Sequence, residues 1–272
     1  MFFKRTDNLT TNLTSYDFLK FLTLSFMIVD HIGAFFFPEE LWWRVIGRLG
    51  FPAWFFLAGY SKGHQIGQTL WIGAALLIAS NVAFGQYMFP MNALVSFICI
   101  RLLMTHYYRA VFANWEILIY VCVAFLALSL PTNYLFEYGT LVFLMAMFGY
   151  AVRNKDDLRI GKFGRIVFCI FATFSVILLQ VVTFAFSVEQ SILCTVLLSL
   201  ASVILFFFKA DEYPELTKKM PSFITSIIQF GGRYTLEVYV FHLMAIKAYL
   251  LYKDYGHYLP FEPSYFPNFP IP

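Results

Sequence analysis

Lys20 and His31 stand eleven residues apart in the run DFLKFLTLSFMIVDHIG, and neither side chain has an ordinary place in so apolar a stretch. At about 100° per residue, that separation returns to within ~20° of the same helix face, roughly 16 Å further along the axis. An ammonium near one end and an imidazole deeper in then line one side of one polar cavity. Such a cavity suits an anionic molecule held by its charge, with its far end beside a group that exchanges protons near neutral pH or attacks as a nucleophile and carries an acyl group. Asp30 precedes His31 directly and so points about 100° away from it. Orienting His31 is one reading for Asp30, and a backbone-directed or interhelical contact is another.

Ionisable groups recur in other apolar stretches: Arg44, Arg48, Arg101, Glu137, Glu237, His242 and Lys247. Each costs about 2.5–3.5 kcal/mol at the centre of a membrane helix, so such residues normally face a polar cavity or one another. In WWRVIGRLGFPAWFFLAGYSKG, Pro52 predicts a kinked helix with freed carbonyls, and Gly47, Gly50 and Gly59 allow close backbone approach. Arg48 would sit beside that break, and its permanently charged fork of donors suits a phosphate or carboxylate. In YTLEVYVFHLMAIK, Glu237 and His242 are five positions apart and share a face poorly, while His242 falls near mid-membrane and could meet His31 from a neighbouring helix. Plainer readings stand beside these. Lys20 alone could snorkel to the interface, Asp30 and His31 could be a structural pair, and Glu137 and Arg101 could pair with each other or with helix ends. His64, His106 and His257 lie near span ends or in the tail and read as interfacial. No metal-ligand spacing, nucleophile elbow, P-loop or dinucleotide fingerprint accompanies them, so no metal is expected and a hydrolase or NTPase has no support.

The elements that must position these residues are membrane spans. Of 272 residues, 60% are hydrophobic and 21% aromatic, while only 13% are charged, against about 25% charged in an ordinary soluble domain. A globule of this size still needs a polar skin, which this composition cannot supply. Runs long enough to cross a bilayer fall at residues 16–37, 41–60, 69–87, 91–105, 115–130, 134–152, 166–186 and 191–208, followed by 234–251. The fourth is short. Ser222–Phe230 is too short to cross and reads as interfacial or re-entrant, cut from the last span by Gly231-Gly232. The expectation is an all-α polytopic bundle of about nine or ten transmembrane helices, one domain over residues 1–272, with no soluble insertion and no internal repeat. Residues 1–15 form a cytoplasmic segment, and the Pro-rich end, residues 253–272, an extracytoplasmic tail.

Orientation follows the basic residues, which gather in cytoplasmic loops. With the N-terminus inside, thirteen of the nineteen Lys and Arg fall on the cytoplasmic face, and the outer turns PEEL, GQYMFPM and PTN hold none. The net charge of +3 then reports topology and anionic headgroups, with no nucleic-acid partner. Cys99, Cys122, Cys169 and Cys194 lie in apolar runs and read as buried thiols. No signal-peptide core precedes the first span. The sequons at Asn8 and Asn12 fall on the cytoplasmic side, where glycosylation does not occur.

The stretch Asp17–Gln65, with Lys20, Asp30-His31 and GRLGFPAWFFLAGYSKGH, resembles the TraX family, membrane acetylases of conjugative F-type pilin. Thinner likeness continues at Asn92, Tyr138-Gly139 and RYTLEVYVFHL. The family is similar in turn to the wider integral membrane acyltransferases, in which a basic residue precedes an essential His by eleven positions in the first span; Lys20 and His31 fit. Phe55-Phe56-Leu57-Ala58-Gly59 is similar to their aromatic-rich segment. The resemblance implies an inner-membrane acyltransferase, with acetyl-CoA or another acyl-CoA as cytosolic donor. It implies His31 as general base or acyl carrier, oriented by His242 or Asp30, and Lys20 and Arg48 on the donor. It further implies an acceptor at the membrane or beyond it, the pilin N-terminal amine foremost, in the setting of conjugation. A lipid or glycan hydroxyl remains an alternative acceptor. Two other classes stay open: a proton-coupled transporter using His31, Asp30, Glu137 and Glu237, and a non-enzymatic envelope assembly factor.

Overall fold

Thr14 starts the first helix. Its hydroxyl accepts the Asp17 amide at 3.1 Å, and the Asp17 carboxylate accepts the Thr14 amide at 3.0 Å, a reciprocal cap that satisfies donors the helix itself leaves open. The computed structural model describes residues 10–63, 66–83 and 88–253, apart from the side chains of residues 104–106. Asn8, His64, the His106 side chain, His257 and the Pro-rich tail beyond Lys253 therefore lie outside the described residues.

Among those described, the chain forms twelve helices and no strand. They are α1 (Ser15–Phe36), α2 (Trp42–Gly47), α3 (Gly50–Tyr60), α4 (Gln68–Ala83), α5 (Ala93–Val111), α6 (Trp115–Thr132), α7 (Leu141–Arg153), α8 (Gly161–Phe184), α9 (Val188–Phe206), α10 (Pro214–Lys219), α11 (Ser222–Arg233) and α12 (Thr235–Tyr252). Four of them, α1, α6, α8 and α9, are by themselves long and apolar enough to cross a membrane. The chain is an all-α membrane bundle.

The fourth apolar run is short, Ala93–Leu103, although the helix that carries it, α5, begins under an Asn92 cap and continues to Val111. Two expectations need correction. The sixth begins later, at Leu141, since Tyr138 (φ 69°) and Gly139 (φ 52°) adopt the left-handed conformation and hold the preceding residues out of a helix. Gly231-Gly232 does not interrupt a helix. It lies inside α11, which ends at Arg233, and both glycines serve close approach: a Cβ on Gly231 would meet the Phe21 ring at 2.6 Å, and one on Gly232 the Asp17 Cα at 2.6 Å.

The second apolar run is broken where Pro52 predicts. Its ring excludes the carbonyl four residues earlier, and that carbonyl belongs to Arg48, at the junction of α2 and α3. Beyond the break α3 is the most enclosed element, with only Trp54 partly exposed among its 11 residues. It packs on α7 through Gly59, which faces the Ala146 backbone, and Gly149, which faces the Phe56 carbonyl. Around this pair α1 meets α2, α3, α11 and α12, and α12 also packs against α4.

Candidate functional site

His31 is carried by α1 and His242 by α12, and their rings stack with centroids 5.0 Å apart and planes 21° from parallel. Nδ1 of His31 lies 2.7 Å from Nε2 of His242. The proton positions follow from the third contact in the chain. Nδ1 of His242 lies 2.9 Å from the Val238 carbonyl, and a carbonyl oxygen only accepts, so this nitrogen carries the hydrogen. In the neutral ring Nε2 of His242 is then a lone pair, which accepts from Nδ1–H of His31. Both Nε2 atoms are then without a proton, and the one lone pair left without a donor is Nε2 of His31. This order, carbonyl to imidazole to imidazole, fixes one tautomer and leaves a base at its end. His31 is only 6% exposed. Tyr239 closes the pair, 5.9 Å from the His31 ring and 5.6 Å from His242, and Trp54 stands edge-on to Tyr239 at 4.7 Å.

Asp30 does not orient His31. It points to α2, where Oδ2 pairs with Nη1 of Arg44 at 3.0 Å and Oδ1 with Nε of Arg48 at 3.3 Å. Arg44 also donates to the Asp30 carbonyl at 2.9 Å. All three residues are buried. Gly47 makes the approach possible, because its Cα faces the Asp30 backbone with no room for a Cβ. The guanidinium of Arg48 lies 4.6 Å from the Phe184 ring and 5.1 Å from Tyr138, and that of Arg44 lies 5.0 Å from Phe184. Aromatic faces and one carboxylate thus hold two cations in the apolar interior. Glu137 caps a helix end, accepting the Ala93 amide at 3.0 Å at the start of α5.

Lys20 lies ten residues before Asp30, about 15 Å toward the other end of α1. Lys20 and Arg48 therefore do not meet at one point. The Lys20 ammonium makes no hydrogen bond or ion pair among the described residues, and its charged neighbours are Asp17, Arg101 and Glu237. That end of the bundle is tied by Arg233, which pairs with Asp17 at 3.2 Å and donates to the carbonyls of Thr10 and Asn12 at 2.9 and 3.0 Å.

Of the residues singled out from sequence, His31 and His242 come together, Asp30 and Arg48 form a second group with Arg44, and Lys20 stands apart. Arg44 was singled out only as an ionisable group in an apolar run, and Tyr138, Tyr239 and Trp54 were not among the site candidates. Arg44 and Arg48 share the WWRVIGR segment and, four apart, one helix face, which was a signal for a joint partner. The inward turn of Tyr138 and the packing of Tyr239 and Trp54 depend on tertiary contacts with no local signature.

The sequence model of the family described as TraX protein matches residues 15–246. The chain is 27% identical over 251 residues to an uncharacterized protein of Rickettsia prowazekii (strain Madrid E), covering 90% of this chain and 96% of that one. No solved structure matches significantly.

Proposed function

Because the chain belongs to the TraX family, we propose that it is an inner-membrane acyltransferase that moves an acetyl group from cytosolic acetyl-CoA to an acceptor at the membrane or its far side. The observation that carries the reading is the histidine pair, whose hydrogen-bond order leaves Nε2 of His31 unprotonated. Such a nitrogen can act in two ways. As general base it takes the proton of an attacking amine or hydroxyl while that atom bonds to the thioester carbon and the thiolate leaves. As nucleophile it bonds to the same carbon and expels the thiolate; the acceptor's amine or hydroxyl then bonds to that carbon as the bond to Nε2 breaks, and its proton goes to the thiolate. In both routes positive charge develops on His31, and His242 stabilises it by accepting Nδ1–H. Lys20, unpaired at one end of α1, suits the donor's phosphates by charge. Arg48 is already shared between Asp30 and two aromatic faces, so with Asp30 it belongs to the frame that fixes α1 against α2.

The pilin N-terminal amine is the acceptor the family favours, with a lipid or glycan hydroxyl as the alternative of the same class. A proton relay through Asp30 and Glu137 draws less support, since both carboxylates have fixed partners. The test is calorimetric titration of acetyl-CoA into detergent-solubilised protein, followed by transfer of labelled acetyl to membrane fractions. Saturable binding weakened by Lys20→Ala, and transfer lost in His31→Ala, are expected. Folded wild type that binds no acetyl-CoA would overturn the proposal.

A further inference from the structure

Lys247 is a buried cation that the histidine pair does not use. It is 7% exposed, and its ammonium donates to Ser80 Oγ at 3.3 Å and to Asn81 Oδ1, both on α4. These partners are neutral. No carboxylate among the described residues lies within ion-pair distance of it. Glu137, whose charge reaches it, already accepts the Ala93 amide. A buried ammonium held only by neutral oxygens is costly in an apolar interior, and it keeps a third donor to give.

Its place in the bundle says what the donor faces. Near their starts α1 and α12 are joined through α11, where Gly232 lies against Asp17, and further on they meet again at His31 and His242. The two helices thus run in the same direction. Lys20 lies on α1 before this meeting point, and Lys247 lies on α12 five residues beyond His242, about 7.5 Å further along. Its charge is among those that act on the His31 imidazole. Lys20, the histidine pair and Lys247 form a series along the bundle, with cations at its two ends.

We infer that Lys247 binds a singly charged oxyanion, carboxylate or phosphodiester, carried by the acyl acceptor on the side of the histidine pair away from Lys20. This rests on the acyltransferase reading for the word acceptor, whereas the anion site rests on Lys247 alone. The anion would take the third donor of the ammonium and neutralise it, holding the acceptor on the α4 side of α12, one step along the bundle from the histidine pair. Ser80 and Asn81 orient the ammonium for that contact.

The experiment uses purified full-length protein in non-ionic detergent, titrated calorimetrically with dodecanoate, dodecyl methyl phosphate or dodecyltrimethylammonium. Saturable binding of an anionic amphiphile but not of the cationic one is expected. Affinity should fall ~10-fold or more in Lys247→Met, the loss of one charge-assisted contact. It should fall as far in Asn81→Asp, which keeps the lysine but gives it an internal counter-ion, and it should persist in Lys247→Arg. Preference for dodecanoate points to a carboxylate on the acceptor, and preference for dodecyl methyl phosphate to a phosphodiester. Anion binding that is absent from wild type, or unchanged in both loss variants, overturns the inference. Acetyl-CoA titrated into the same samples separates the two claims: donor binding without anion binding sinks the Lys247 site alone, and anion binding without donor binding sinks the transferase reading.

Discussion

Replacing His242 with Phe keeps a flat ring against Tyr239 and removes the acceptor for Nδ1–H of His31. In wild type that bond is 2.7 Å long, and it strengthens when His31 becomes positive during transfer. A hydrogen bond to a charged group contributes about 1.5–3 kcal/mol, and each 1.36 kcal/mol of barrier is tenfold in rate. On the proposed route, transfer by His242→Phe should therefore be slower by ~10- to 150-fold, with acetyl-CoA affinity unchanged, because that route assigns the donor's charge to Lys20. Two readouts are needed. The first is single-turnover transfer of labelled acetyl. The second is nitrogen NMR of histidine-labelled protein, which reports each ring's tautomer without any substrate: Nδ1 protonated on both rings and Nε2 of His31 bare. In His242→Phe, the His31 ring should lose its single tautomer. The pH profile carries the same reasoning. A proton added to Nε2 of His31 removes the base, and one added to Nε2 of His242 sets two donors face to face, so activity rises with pH as the pair loses its excess proton. A wild-type spectrum with hydrogen on Nε2 of His31, or His242→Phe transferring within twofold of wild type while His31→Ala is inactive, refutes the relay.

Asp30→Asn should cost about 3–5 kcal/mol, because it leaves Arg44 and Arg48 buried without their carboxylate; thermal unfolding in detergent reads this, and Asp30→Asn with Arg48→Gln should lose less than the sum of the single variants. Gly149→Ala puts a methyl group onto the Phe56 carbonyl and should abolish a monodisperse peak in size-exclusion chromatography, whereas Gly63→Ala, with open space around it, should elute as wild type. Arg233→Met should release the segment that it ties to Asp17, so the amides of Leu13 and Ser15, which donate to Thr217 Oγ1 and the Asp211 carbonyl at 2.9 Å each, should exchange with deuterium faster than wild type while α3 amides do not.

What could be read from sequence was what one helix decides by itself. The single helix that carries Lys20 and His31, the break at Pro52 and the long apolar spans of α1, α6, α8 and α9 all depend on periodicity or on a proline ring, and the structure keeps them. What one helix cannot decide is which neighbour a side chain finds. Helix geometry already turned Asp30 ~100° away from His31 and left open whether it oriented that ring or met another helix, and the carboxylate reaches two arginines because Gly47 brings α2 onto the Asp30 backbone. Gly231-Gly232 misled for a related reason. Glycine is read locally as a helix breaker, yet here the contact with Phe21 and Asp17 decides: α11 runs through the pair and ends just after it at Arg233, so the break from the last span falls at Tyr234. The same dependence on neighbours separates the two ends of the polar series. Lys20 and Lys247 look alike in sequence as single lysines in apolar runs, and the structure distinguishes them: Lys20 has acidic neighbours and no hydrogen bond, while Lys247 is held by two neutral oxygens of α4. A cation with only neutral partners has no counter-ion to give up, which is why the anion is proposed at Lys247, while the Lys20 ammonium, with no hydrogen bond among the described residues, is free to adjust.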